Sequence, residues 1–375
     1  MTMGLSVSAR LLGYVLLPLA LVSGTGVPID PAQAQPVRMD PPEQALDKAA
    51  RSQVIEGAIA GLNQAYIFPD TAKKMEAWVR VREKAGAYDS VVQASAFARV
   101  LTDDLQAVSH DKHLSVIYSQ EVVPPDRARK AQPPPEEAQR ELAYKKSVNF
   151  GFEKVERLPG NIGYLELRGF MSPDTAGETA AAAMSFVANT EALIIDLRRN
   201  GGGDPEMVAF LSSYLFDKRT HLNDLYWRDG DLTEEFWTKE SVPGKRFGET
   251  KPVYVLTSKR TFSAAEEFSY NLKNLKRATI VGVTTGGGAH PGGTMRINDH
   301  FAVWVPGGRA ISPITKTNWE GTGVVPDVAV AADGALDAAQ ILALKLLIAR
   351  EKDPLGKANL ERRLSELEKS ATRSS

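Results

Sequence analysis

The chain has 375 residues, 43% of them hydrophobic, and a formal net charge of -1. That length provides for a large core in about two domains, and the charge balance gives no electrostatic footprint for nucleic acid or an acidic polymer. With zero cysteines, a disulfide framework, a thiolate zinc site and a cysteine nucleophile are all excluded.

Arg10 precedes the apolar run Leu11 to Val22, which is too short for a comfortable membrane span and the right length for a signal h-region. Ala32, Gln33 and Ala34 follow as a small-x-small pattern. Residues 1–34 are therefore expected to be a signal peptide of bacterial type, giving a periplasmic or secreted protein without a membrane span after cleavage. An uncleaved N-terminal anchor is the alternative.

Residues 35–43 form a proline-rich lead-in, and 44–110 read as a small helical domain. Val54, Ala58, Ile59, Leu62 and Tyr66 recur on one helical face; Phe68-Pro69-Asp70 starts a second helix; Phe97, Val100, Leu101 and Leu105 mark a third. Trp78 and Tyr88 read as packing residues. The next segment, 111–145, is expected to be a strand followed by an exposed linker, because Val122 to Leu142 is dense in proline and charge.

Residues 146–334 read as an α/β core. Strand patterns lie at Phe150 to Val155, Ile162 to Leu167, Leu193 to Leu197, Val253 to Leu256, Thr279 to Val283 and Phe301 to Val305, with helices at Thr175 to Ala188 and Pro205 to Phe216. Gly201, Gly202 and Gly203 separate a buried strand from a helix, where N–H groups can point at a bound group; the lysine and hydroxyl of a phosphate-binding loop are missing. Asp196, Arg198 and Asn200 read as shaping that turn. Residues 335–375 form two closing helices.

The stretch Lys251 to Leu275 runs from an apolar strand through a short turn to Ser263 and then an amphipathic helix. A serine there sits among free helix-start N–H groups, where developing negative charge is favoured. It suits a nucleophile, although a serine in this position is most often a simple helix cap. A hydroxyl nucleophile needs a base and oxyanion donors, and the chain has five histidines. His221 and His300 read as surface residues, and His290 lies in a glycine-rich loop that can approach a site. His110 and His113 sit at a helix-to-strand switch and are not ranked by spacing. Glu266 and Glu267 read as a solvated helix face.

Four stretches together resemble the tail-specific, or C-terminal processing, serine protease family: Asp111 to Ser115, Leu193 to Gly203, Thr261 to Phe268 and Trp319 to Val328. Within it they are similar to the branch holding the tricorn protease core and the repeats of interphotoreceptor retinoid-binding protein. The resemblance covers Gln44 to Leu347 and implies a ClpP/crotonase-like core of strands and helices with a small N-terminal helical domain. It implies Ser263 as nucleophile, His113 as base and Glu320 as the orienting acid, with oxyanion N–H donors from Ala264 and from Gly201 or Gly202. No cofactor or metal is implied.

Lysine-type members carry a lysine in the glycine-rich loop after the serine, and none occurs here between Lys276 and Lys316. Two departures stand out. The tricorn core has a serine directly before the histidine, where this chain has Lys112, so that role is vacant or passes to Ser109 or Ser115. The linker is also too short for the PDZ domain that captures substrate tails, so tail specificity is not carried over. The expected activity is peptide-bond hydrolysis on protein or peptide substrates. The alternative is a non-catalytic binder of apolar ligands, retinoid or fatty-acid-like, on the same scaffold.

Overall fold

The computed structural model describes residues 43, 45–125 and 134–374. The expected signal peptide, 1–34, and residues 35–42 of the lead-in lie outside the described residues. No helix among those described is long and apolar enough to cross a membrane.

Three helices open the described chain: α1 (Lys48–Ala65), α2 (Pro69–Lys84) and α3 (Ala94–Ser109). Val54, Ile55, Met75, Phe97, Leu101 and Leu105 bury their facing stripes completely. This cluster does not close on itself. It also takes in Leu114 and Val116 around β1 (Ser115–Tyr118), and Phe301, Val303 and Val305 of a strand from far along the chain.

The helix α4 (Pro135–Ser147) falls where a proline-rich exposed linker is expected. None of its residues is buried, so the exposure is observed while the irregular backbone is not. The prolines lie at its start, where a missing N–H costs nothing. Glu136 and Glu137 in the first turn and Lys145 and Lys146 in the last complement the helix dipole.

The core sheet is built from β2 (Phe152–Leu158), β3 (Ile162–Leu167), β4 (Ala192–Asp196), β7 (Val253–Thr257), β8 (Thr279–Gly282) and β12 (Val328–Ala329), in the order β12-β8-β7-β4-β3-β2. All neighbours pair in parallel except β2 with β3. Both faces are covered, as a parallel sheet requires. Leu165, Leu167, Leu193, Ile195, Val253 and Val255 point to one side, against α5 (Pro173–Val187), α6 (Pro205–Ser212) and α7 (Ala264–Asn274). Their alternate neighbours Ile162, Tyr164, Ile194, Tyr254 and Leu256 face α8 (Ala335–Arg350) and α9 (Pro354–Ser374).

Two small antiparallel sheets complete the fold: β1 with β10 (Phe301–Pro306) and β9 (Gly292–Arg296), and β11 (Gly308–Ile311) with β5 (His221–Trp227) and β6 (Leu232–Trp237). His221 accordingly lies in a strand, stacked on Trp237 and 2.6 Å from Asp224. The ends of β4, β7 and β8 deliver the Arg198–Gly203 turn, the Ser263 turn and the Gly286–Gly288 loop to one edge of the core sheet. In open α/β sheets that carboxyl edge is where ligands bind.

Candidate active site

Ser263 occupies the residue before α7 with φ of 53° and ψ of -123°. A non-glycine residue rarely adopts positive φ, and it persists only where the surroundings hold it. Here they do. The Glu266 carboxyl accepts the Ser263 N–H at 3.0 Å, and the N–H of Phe262 donates to Asn200 O at 3.1 Å. The Ser258 and Thr261 hydroxyls donate to Arg198 O at 2.6 Å and Leu197 O at 2.8 Å, stitching the serine turn to the end of β4.

Glu266 and Glu267 are not a solvated face, since they are 0% and 4% exposed. Both point inward because this first turn of α7 packs beneath the glycine loop and the β5 strand. Glu266 accepts four hydrogen bonds: from Ser263, Thr285 Oγ1 (2.5 Å), Gly287 N–H (2.6 Å) and Gly288 N–H (2.9 Å). Burial pushes its pKa up, and the hydrogen bonds oppose that shift. Burial drives Glu267 up to about 8; the Asn223 and Asn271 amides beside it pull the other way, and Asp204 and Glu206 add to the rise.

The glycine turn lies against the serine. A Cβ on Gly202, whose φ is +110°, would fall 2.7 Å from Ser263 Cβ and 3.0 Å from Ala264 N, so only glycine permits this approach. The Gly202 N–H, one of the expected oxyanion donors, donates to Asn200 Oδ1 at 2.8 Å. Asn200 also donates through Nδ2 to Leu167 O, and Asp196 and Arg198 form an ion pair at 2.6 Å. Gly203 and Ala264 line the cavity beside Ser263, whereas Gly201 is not among its lining residues.

His113 enters from the other cluster. α3 ends at His110 in the left-handed region, with φ of 57°. Asp111 then accepts the His113 N–H at 3.1 Å, fixing a tight turn. The imidazole packs on the ring of Phe262, next to the serine, with centroids 4.5 Å apart. Its Nδ1 is buried without a hydrogen-bond partner. Burial lowers its pKa to about 4, with the Asp111 charge opposing and His290 adding to the drop, so the ring is neutral at pH 7.

Glu320 accepts the Ala289 N–H at 2.5 Å through Oε2, and its Oε1 is buried without a partner. Burial pushes this carboxyl up to about 7; His290 opposes and Asp111 reinforces the shift. Asp111, His113 and Glu320 bring one polar atom each within 4.8 Å of one another. Asp111 is already engaged, by His290 Nδ1 at 2.8 Å and the Tyr66 O–H at 3.2 Å, so the group reads as a hydrogen-bonding chain more readily than as a metal cage.

His290 is the member that sequence reasoning left unassigned. It bridges Asp111 and Glu320, lying 3.5 Å from the latter, and its partner is 179 positions away, beyond any local signal. Lys112 donates to Gly286 O at 2.5 Å, and Ser109 Oγ accepts the Asp111 N–H at 3.2 Å. Ser115 begins β1.

The cavity beside Ser263 measures about 40 Å³ and is lined by Glu267, Leu225, Ala310 and Trp319 among others.

Comparison with known proteins places this geometry. The model of peptidase family S41 matches residues 161–330, and that of the N-terminal domain of peptidase S41 in eukaryotic IRBP matches residues 44–159. A carboxyl-terminal-processing peptidase 2 of Arabidopsis thaliana chloroplasts is 28% identical over 196 residues, 48% of this chain and 35% of that protein. The carboxy-terminal processing protease CtpA of Bacillus subtilis (strain 168) is 30% identical over 134 residues, 35% of this chain and 27% of its own length. The matched segments thus span about a third of those relatives at most. A crystal structure from Parabacteroides merdae ATCC 43184 shares the fold, with a TM-score of 0.53 at 19% identity, covering 80% of this chain and 98% of its own.

Proposed function

The chain carries the peptidase family S41 domain preceded by that family's N-terminal domain, and from this premise we propose that it is a serine-type peptidase acting through Ser263, His113 and Glu320. The observation that carries the reading is the neutral, buried His113 ring packed against Phe262, with a carboxyl oxygen of Glu320 within 4.8 Å of one of its nitrogens.

In the proposed reaction His113 Nε2 accepts the Ser263 proton as Oγ adds to the substrate carbonyl. The same proton then passes to the leaving amine, and water repeats the sequence on the acyl-enzyme. Glu320 Oε1 and His113 Nδ1, both buried and unpartnered, satisfy each other when the ring settles on substrate binding, which fixes the tautomer. The oxyanion is received by the N–H groups of Ala264 and Gly203, with Gly202 replaced in that role for the reason given above. One such donor is worth about 3 kcal/mol of transition-state stabilisation.

A carrier of apolar ligands needs a cavity of roughly 300 Å³ or more with mostly apolar walls. The cavity at Ser263 is about 40 Å³ with a buried carboxyl in its wall, and the cavity of about 870 Å³ beside α9 is lined by Arg350, Glu351, Arg362, Arg363 and Glu366, so the two together favour the peptidase. The leader-like pattern of residues 1–34 supports export, which N-terminal sequencing of the mature protein tests by finding or not finding a start at Gln35.

The decisive experiment is labelling with a fluorophosphonate probe followed by mass spectrometry. A modification on Ser263 that disappears in Ser263→Ala supports the reading, and persistent labelling in that variant removes this serine from the mechanism.

A further inference from the structure

Three side chains beside the nucleophile hold more unmet hydrogen-bonding capacity than the proposed chemistry uses. Asn223 of β5, Glu267 of α7 and Asn271 one turn further along α7 are 0%, 4% and 2% exposed. Asn223 Nδ2 and Oδ1, Glu267 Oε1, and Asn271 Nδ2 and Oδ1 are all buried without a hydrogen-bond partner. Buried polar atoms are nearly always paired, and each one left unpaired costs about 1–3 kcal/mol. Asn223 and Asn271 lie beside the Glu267 carboxyl without completing well-aligned hydrogen bonds to it, and Glu267 lines the cavity that Ser263 also lines, so the cluster offers polar capacity to a group entering there.

Resting on the peptidase reading, we propose that Glu267, backed by Asn223 and Asn271, forms the polar floor of the pocket for the substrate side chain just before the scissile bond, and that it selects a compact hydroxylated residue, serine or threonine.

Size, polarity and charge state lead to the same residue class. A cavity of about 40 Å³ suits a water or a short side chain better than the stem of lysine or an aromatic ring. Its apolar walls, Leu225, Ala310 and Trp319, suit a single carbon or a methyl. Its floor does not suit alanine or valine, which would cover the Glu267 carboxyl and return no hydrogen bond. A hydroxyl both donates and accepts, and Glu267 held neutral by burial does the same. Sites built to hydrogen-bond a hydroxyl reject analogues lacking it more strongly than apolar pockets reject an extra methylene.

The test uses tetrapeptide aldehydes that differ only in the terminal residue, competing with fluorophosphonate labelling of Ser263 in the full chain. Serine and threonine aldehydes should protect about 10- to 100-fold better than alanine, valine or lysine aldehydes. Glu267→Gln keeps the shape and the hydrogen bonding and should retain this order; Glu267→Leu should erase it, bringing alanine and valine level with serine. Equal protection by all five aldehydes, a preference for alanine, valine or lysine, or an unchanged order in a folded Glu267→Leu protein overturns the subsite. If the wild-type chain is not labelled at all, the peptidase reading falls and takes the subsite with it, an outcome distinct from labelling without discrimination.

Discussion

One carboxyl oxygen of Glu266 accepts the backbone N–H of Ser263 at 3.0 Å, and the same atom accepts the N–H of Gly288 at 2.9 Å. The strained serine turn and the loop under the imidazole are therefore held by a single buried carboxyl. Glu266→Gln places an amide NH₂ among donors that then lack an acceptor. It should destabilise the protein by about 2–4 kcal/mol, read by denaturant unfolding, and slow fluorophosphonate labelling at least tenfold. Wild-type values for both would show that the carboxyl does not hold the turn.

Gly288→Ala should disturb the base more than the fold. An added Cβ would run into Phe262 Cζ and meet Phe262 Cε2 at 2.5 Å and His113 Cε1 at 2.7 Å, so both of the packed rings beside Ser263 must shift. A displacement near 1 Å can cost about 10²-fold in rate. The expected result is a fall of that order in kcat/KM with the melting temperature nearly kept; an unaltered rate would place His113 outside the reaction.

The pH profile should be shifted to acid. An ordinary histidine base loses activity below about pH 6.5, but burial holds His113 at about 4. The acid limb of kcat/KM is expected between pH 4 and 5. A limb at pH 6 or above would mean that the working ring is more solvated than the structure has it.

Stability should decline on the alkaline side. Glu267 and Glu320, with folded pKa values of about 8 and 7 against 4.5 unfolded, bind protons more tightly when folded. Their contribution is complete below pH 4.5 and is lost as pH rises through those values. His113, depressed to about 4, acts oppositely, with stability rising from pH 4 to 6.5. Above pH 6.5 the opposing histidine contribution is complete and the buried carboxyls dominate, Glu266 acting in the same direction, so the melting temperature should fall between pH 6.5 and 8.5. Glu267→Gln should flatten the slope; an equally steep slope in that variant would show Glu267 ionised throughout.

The short, nearly continuous apolar runs of β4 and β7, buried throughout, and the 3.6-residue spacing of α7 made the sheet and the serine turn legible from the chain alone. Other elements were hidden for physical reasons. The β5–β6 hairpin carries Asn223, Asp224, Glu234 and Glu235 among its apolar residues, so its alternation is masked by polar groups, some of which turn inward. Ser263 and Glu266 stand in the S-x-x-E spacing of a capping box, a signal in the letters that was read as a solvated face. His113 was singled out from His110 by resemblance alone; the fold separates them by making His110 a left-handed helix cap. His290 had no local signal, because its role exists only once distant strands have paired.

The boundary between the two matched family segments passes through the proposed catalytic site. The hydroxyl, the glycine turn and Glu320 fall within residues 161–330, while the imidazole and Asp111 fall within 44–159. A truncated chain bearing only the larger segment would own a nucleophile and an anion cradle yet no proton acceptor. On the proposed mechanism, the smallest autonomous hydrolase that recombination could extract from this sequence is therefore nearly the entire described chain.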